Sequence, residues 1–155
     1  MNHNHLMQPA INAALKAYEL GEVPVGAAIY SGETLIASSY NQKESMRFAT
    51  AHAEILAINE VCKIIGDWRL EGMSLYVTVE PCFMCAGAIL QARIKEVIFG
   101  VVEPKFGGII THANLFDLKG LNHKVAYTGG VREDEIRGIM QRFFRELRGS
   151  NNNLP

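Results

Sequence analysis

Hydrophobic periodicity along this chain switches between two and 3.6 residues several times, and that alternation limits the possible folds more than any other feature. Val25 to Tyr30 and Leu35 to Ser39 read as short strands joined by a turn at Ser31-Gly32-Glu33, which makes a hairpin. Before it, residues 9–20 place Ile11, Leu15 and Tyr18 on one helical face, with Gly21 as the stop. After it, helix and strand patterns take turns. Ala51 to Ile65, rich in Ala, Ile and Leu and ending at Gly66, reads as a buried helix, and Ser74 to Val79 as a strand. Cys82 to Arg93 reads as a helix with Ile89 and Leu90 facing inward, Glu96 to Val101 as a strand and Lys124 to Thr128 as a fifth. Arg132 to Arg148 closes the pattern as a helix carrying Ile136, Met140, Phe143 and Leu147 at helical spacing. Such a series predicts an α/β layered domain with parallel pairing in its later strands.

One domain over residues 1–155 is expected, with a core of about 9–148, since no repeat, long linker or low-complexity segment interrupts the chain. The polar start, Met1 to Gln8, and the tail, Gly149 to Pro155, read as frayed ends. Apolar runs fall well short of the ~20 residues that cross a bilayer, and no charged stretch followed by an apolar one opens the chain. Neither a membrane partner nor a signal peptide is therefore expected. Three cysteines, an odd number, argue against a disulfide framework and for the reducing cytoplasm. The 15 Lys plus Arg against 16 Asp plus Glu leave a net charge of −1. A general polyanion binder is usually basic, so any nucleic-acid binding requires positive charge gathered on one face.

Two short motifs carry the chemistry. His52-Ala53-Glu54 opens one predicted helix and Pro81-Cys82-Phe83-Met84-Cys85 opens the next. Cys82 and Cys85 stand one helical turn apart, so both sulfurs share a face. Both helices follow strands, so their N-termini can meet at one sheet edge, where the helix dipole favours thiolate over thiol. One His and two Cys make three ligands; a structural zinc has four, and three leave a position for water, as a catalytic zinc requires. Zinc lowers the pKa of such a water from 15.7 to about 7. Glu54, two residues from His52, can reach that water as a proton shuttle without being a ligand. Alone, His-x-Glu is uninformative, and Cys-x-x-Cys suits a redox pair or structural zinc equally well. In this order, with Pro81 before Cys82, they form the signature of zinc nucleobase deaminases, with one Zn2+ per chain. A thioredoxin-like redox role would leave His52 and Glu54 unexplained. Cys62, among Val61, Ile64 and Ile65, reads as a small core residue, and His112 and His123 lack a ligand-spaced partner.

With these residues in hand, the chain resembles the bacterial tRNA-specific adenosine deaminases (the TadA family of the cytidine deaminase-like superfamily) from about Ile11 to Arg148. The matching stretches are Glu22 to Ala27, Ala51 to Glu54, Asp67 to Leu70, Val77 to Ala88, Phe99-Gly100, Asn122-His123 and Phe143-Phe144-Arg145. The resemblance implies a cytidine deaminase-like fold: three αβα layers around a five-stranded mixed sheet with helices on both faces. It implies a homodimer that converts the wobble adenosine of an arginine tRNA to inosine, releasing ammonia. It also implies a substrate pocket of Pro24, Val25, Asn41, Ala53 and Val79, with Asn41 at the spacing of a base-binding Asn. Without the resemblance, Asn41 would read as a turn residue. Glu103 and Lys105, in a loop expected near the RNA backbone, and Phe144, Arg145 and Arg148 are the implied RNA contacts. That loop departs from the family: Glu103 where Asp is frequent, Phe106 where a small residue is frequent, and Thr111-His112 for a common Ser-Leu pair.

On the last helix Arg137, Gln141, Phe144 and Arg148 share a face, suited to stacking and phosphate contact in a single-stranded loop. Four acids, Glu133, Asp134, Glu135 and Glu146, share that helix, so a mixed solvated face is the alternative. Two other functions compete. A free-base deaminase acting on guanine or cytosine would share the zinc residues and suit the near-neutral charge. A non-catalytic zinc-bearing RNA-binding subunit would have no need for Glu54.

Overall fold

The computed structural model describes residues 2–152. Its elements are α1 (His3–Leu6), α2 (Gln8–Glu19), β1 (Gly26–Ser31), β2 (Thr34–Tyr40), α3 (Lys43–Met46), α4 (Ala53–Ile65), β3 (Met73–Val79), α5 (Phe83–Gln91), β4 (Glu96–Val101), β5 (Ala126–Thr128) and α6 (Glu133–Asn152). A 3₁₀ turn, Leu115–Asp117, lies between β4 and β5. The strands form one sheet in the order β2-β1-β3-β4-β5. β1 is antiparallel to β2 and to β3, while β3–β4 and β4–β5 are parallel. The later strands therefore pair as the alternating pattern predicts, since each is reached by a crossover.

Side chains of β1 alternate between two cores, as the pleat requires. Ala27 and Ile29 join Leu75, Val77, Phe99, Ile58, Val61 and Ile89 on the face covered by α4 and α5. Ala28 and Tyr30 join Tyr76, Ile98, Met7, Ile11, Ile136 and Ile139 on the face covered by α1, α2 and α6. The three αβα layers follow. Large side chains that are fully buried, such as Ile11, Leu75 and Phe99, each contribute roughly 1.5–3 kcal/mol by leaving water.

The frayed start expected from composition is corrected. His3–Leu6 is helical, Leu6 and Met7 are buried, and the Nδ1 of His3 lies 2.8 Å from the hydroxyl of Tyr76. Two apolar residues and one aromatic partner thus hold a segment whose composition is mostly polar. At the other end α6 runs to Asn152, past the expected stop at Arg148; Asn153 to Pro155 of the expected frayed tail lie outside the described residues. Its buried stripe is Ile136, Ile139 and Phe143, with Met140 half-buried, whereas Leu147 is exposed. Leu90 is also only partly buried, beside the fully buried Ile89.

The topology gathers chain ends at one sheet edge. Gly26, at the start of β1, lies opposite Tyr40, at the end of β2, and its N–H donates to the Thr78 hydroxyl of β3 at 3.1 Å. Val25, Asn41, Val79 and Val101 therefore finish at the same edge, the one onto which the N-termini of α4 and α5 open. In open α/β sheets, crevices outside the strand ends are where ligands bind.

Candidate metal centre and its cavity

His52 and Cys82 occupy equivalent places. Each is the N-cap of its helix, α4 and α5, with extended backbone (φ −75°, ψ 152° and φ −70°, ψ 176°), and neither side chain caps its helix. Both helices start one or two residues later than their apolar patterns suggest, because extended backbone at the cap turns the two side chains toward each other. The ring Nδ1 of His52 lies 3.6 Å from the Cys82 sulfur and 3.5 Å from the Cys85 sulfur. The three donor atoms fall within 4.8 Å of one another. Tetrahedral zinc with ordinary Zn–S and Zn–N bonds separates its sulfur and nitrogen ligands by roughly 3.6 Å. The donor set and its spacing fit zinc, and three protein ligands leave one position for water.

The electrostatics point the same way. A hydrogen bond from Cys85, reinforced by His52, pulls the Cys82 thiol down to about 4, while the Cys82 sulfur and burial hold Cys85 protonated. His52 is raised, first by its hydrogen bond to Cys82. Protons thus occupy a site where two sulfurs and an imidazole converge, and a divalent cation would remove the need for them. Glu54, at the second position of α4, is 4% exposed. Burial raises its carboxyl to about 7, so it can hold or release a proton near neutrality, as a general acid–base requires.

These groups open into a cavity of about 200 Å³ lined by Val23, Val25, Asn41, Lys43, His52, Ala53, Glu54, Val79, Glu80, Cys82, Glu103 and Phe106. Four of the five residues expected for the substrate pocket lie on its wall; Pro24 does not. Pro24 is buried behind it, at the centre of a tight turn in which the Val25 N–H donates to the Val23 carbonyl at 2.8 Å. Its fixed φ suits that bend, which turns Val23 and Val25 to the cavity. Asn41 donates to the Val23 carbonyl at 3.2 Å and accepts the Lys43 N–H at 3.1 Å. One N–H and one lone pair of its amide remain for a ligand. Val23, Lys43 and Glu80 carry no role from sequence alone, and Phe106 stands out there only as a departure from the family pattern in the loop expected near the RNA.

A second, more open groove runs between α6 and the segment after β4, lined by Val102, Pro104, Arg137, Gln141, Phe144, Arg145 and Arg148 among others. Residues 102–106 separate it from the first cavity. Arg137 pairs with Glu133 and Asp134, Arg132 pairs with Glu135, and Arg142 lies over the Tyr18 ring. Arg145 and Arg148 make no ion pair among the described residues, which leaves positive charge beside the partly exposed Phe144. Lys105 is exposed and borders neither cavity, and the Glu103 carboxylate accepts the Lys105 and Phe106 N–H groups of its own turn. Cys62 is partly buried against the core, its thiol 3.9 Å from the Trp68 carbonyl. His112 and His123 lie against the carbonyls of Pro104 and Ile94, away from the donor cluster. No helix among the described residues is long and apolar enough to cross a membrane.

Comparison with known proteins agrees with this geometry. The MafB19-like deaminase family matches residues 1–148. A tRNA-specific adenosine deaminase of Bacillus subtilis (strain 168) is 47% identical over 142 residues, covering 92% of this chain and 88% of that protein. A solved structure from studies of A-to-I editing by tRNA:A34 deaminases at the wobble position superposes with a TM-score of 0.84 at 38% identity, over 87% of this chain and 98% of its own. A guanine deaminase of Nitrosomonas europaea shares the fold, with a TM-score of 0.79 at 20% identity over 90% of this chain and 83% of its own.

Proposed function

Because this chain belongs to the MafB19-like deaminase family and to the tRNA-specific adenosine deaminases, we propose that it converts the wobble adenosine of a tRNA anticodon loop to inosine, releasing ammonia. The observation that carries the reading is a buried carboxylate, Glu54, in one cavity with three converging metal donors.

His52, Cys82 and Cys85 would hold one Zn2+ per chain. When bound there, zinc supplies a Lewis acid that makes water nucleophilic near neutral pH. Glu54, buried beside the donor cluster, would take a proton from the attacking water and hand it to N1 of adenine as oxygen adds at C6. It would then take the second proton from the new C6 hydroxyl and give it to the departing amino group, so that water enters, ammonia leaves and the C6 carbonyl and N1–H of inosine remain. Val25, Ala53 and Val79 hold the flat base between apolar walls, and Asn41 offers its remaining N–H and lone pair to the polar edge. Pro24 acts from behind, by setting the bend that presents Val23 and Val25. A base inside a duplex cannot reach such a cavity, whereas a loop nucleotide is extruded at a cost of only a few kcal/mol.

Phe144, Arg145 and Arg148 would hold flanking nucleotides by stacking and phosphate contact, with Lys105 reaching the backbone from the neighbouring loop. Glu103 takes part chiefly through the turn it closes. A tRNA substrate makes the cytoplasm its place of work. A homodimer fits the exposed Phe83 and Met84 beside the metal donors, apolar surface that a second copy would cover. The rival reading, a deaminase of free guanine or cytosine, shares the metal site but leaves the α6 groove without a role. Incubation with an anticodon stem-loop bearing a wobble adenosine, and separately with free bases, tests the choice. Inosine in the stem-loop is expected; ammonia from free bases with an untouched stem-loop would reject the tRNA reading and leave only the metal chemistry.

A further inference from the structure

Phe106 is 59% exposed, yet it lines the same cavity as Glu54 and Cys82. Single exposed apolar side chains are ordinary on a protein surface. The backbone beneath this one is not ordinary. Glu80, 2% exposed, spends its carboxylate on the surrounding loop. One oxygen accepts the Glu103 N–H at 3.1 Å, and the other accepts the N–H groups of Ile109, Ile110 and Thr111 at 3.1, 2.8 and 3.1 Å. The Glu103 carboxylate in turn accepts the Phe106 N–H. Gly107 bridges to Cys82, the Gly108 N–H donates to the Pro81 carbonyl at 2.9 Å, and a Cβ on Gly107 would lie 2.6 Å from Glu80 Oε1. Bonds from N–H groups to carboxylates are stronger than neutral ones. The turn is therefore clamped from both sides to the segment that carries the metal donors, and the ring it presents packs on no other aromatic ring among the described residues.

We propose that Phe106 is a substrate-contacting residue whose ring stacks on a base next to the one taken into the cavity, and that Glu80 and Glu103 are positioning residues that hold it at the rim. The inference rests on the reading that the substrate is a single-stranded nucleic-acid loop. Extrusion of one base strips its neighbours of a stacking partner, and an aromatic face fixed beside the opening replaces it. Stacking tolerates any base, because each has a π-face. The platform contacts the substrate before and during reaction alike, so it belongs to binding more than to the chemical step.

The experiment uses the zinc-loaded protein and stem-loops carrying 2-aminopurine on the 5′ or the 3′ side of the target adenosine. For the wild type and Phe106→Tyr, fluorescence at one of the two positions is expected to be quenched on binding, and for Phe106→Ala it is not. Phe106→Ala should raise KM about tenfold and move kcat far less, with zinc content unchanged. Glu80→Gln should raise KM in the wild-type background and add little to Phe106→Ala, because it acts through the same ring; a purely structural role would give additive losses. Equal quenching with and without the ring, or an unchanged KM, would overturn the proposal. So would a switch from dimer to monomer in Phe106→Ala at unchanged KM, which would assign the ring to a subunit contact. A wild type that neither binds nor edits the stem-loop would instead sink the substrate reading, and this inference with it.

Discussion

The Ser45 N–H donates to the carboxylate of Glu22 at 2.7 Å, across 23 residues of chain. The Glu44 N–H joins the same carboxylate at 3.0 Å, so Glu22 fastens the segment carrying Asn41 and Lys43 to the turn that carries Val23 and Val25. Burial works to raise the Glu22 pKa, but the Ser45 and Glu44 N–H groups outweigh it and leave it below the ordinary 4.5. A depressed folded-state pKa means stability that is full above the ordinary value and lost as pH falls through the folded one. Glu22→Gln is expected to cost about 1.5–3 kcal/mol at neutral pH. It should also flatten the fall in stability as pH drops below the ordinary 4.5. Urea unfolding across that range is the measurement, and an unchanged pH slope would show that Glu22 is not ionised in these bonds.

Purified protein should carry about one zinc per chain, because three donors at tetrahedral spacing suit that metal. The double variant Cys82→Ala, Cys85→Ala should lose the metal and all turnover. Full zinc occupancy in that variant, by elemental analysis, would rule out the assigned ligands.

Glu54→Gln is expected to keep fold, zinc and stem-loop binding while turnover at saturating substrate drops by about 10²- to 10⁴-fold, the range for general acid–base groups. The amide keeps the shape of the side chain and removes its proton chemistry. Near wild-type turnover would show that another group moves the protons.

How much of this could be read from sequence depends on how local each feature is. His52, Cys82 and Cys85 were legible because each motif is contiguous and opens an element whose apolar period is clear. α1 was not, since four residues show no period and His3 contributes by meeting Tyr76, 73 residues away. Leu147 continues the spacing of Phe143 but is exposed, because a helical period says where a side chain points and not whether anything lies there to cover it. Nothing local in the sequence separates Pro24 from Val23 as a cavity residue; one tight turn, with the Val25 N–H on the Val23 carbonyl, brings Val23 to the wall. Lys43 and Phe106 reach the cavity only through the clasps of Glu22 and Glu80, and such long-range bonds leave no local pattern.

The same limit hides Gly26. In sequence it is one small residue within the first strand, but in the fold α2 packs directly over it. A Cβ there would lie 1.9 Å from the Ala10 carbonyl oxygen and 2.6 Å from the Ala14 nitrogen. Both are backbone atoms of a helix, which cannot yield as a flexible side chain would. Gly26→Ala should therefore destabilise by about 3 kcal/mol or more, at the upper end of overpacking costs. A midpoint of chemical denaturation within error of the wild type would mean that α2 does not pack on β1 as described.

Arg148→Ala separates nucleic-acid binding from the chemistry. Arg145 and Arg148 line the α6 groove with Phe144, and neither is paired with an acid among the described residues, unlike Arg132 and Arg137. With a net charge of −1 on the whole chain, few phosphate contacts are available, so affinity for the stem-loop should fall with salt, though moderately. Each phosphate neutralised on a single strand contributes a slope of about −0.7 in log affinity against log salt. Loss of Arg148 should thus weaken binding and make the slope shallower by about that amount. Arg137→Ala is the control: its guanidinium is already held by Glu133 and Asp134, so its removal should change the slope less. Zinc content should be the same in both variants, since neither residue approaches His52, Cys82 or Cys85. Binding titrations at several salt concentrations decide the matter. Equal slopes for Arg148→Ala and the wild type would place the phosphate track away from the α6 groove.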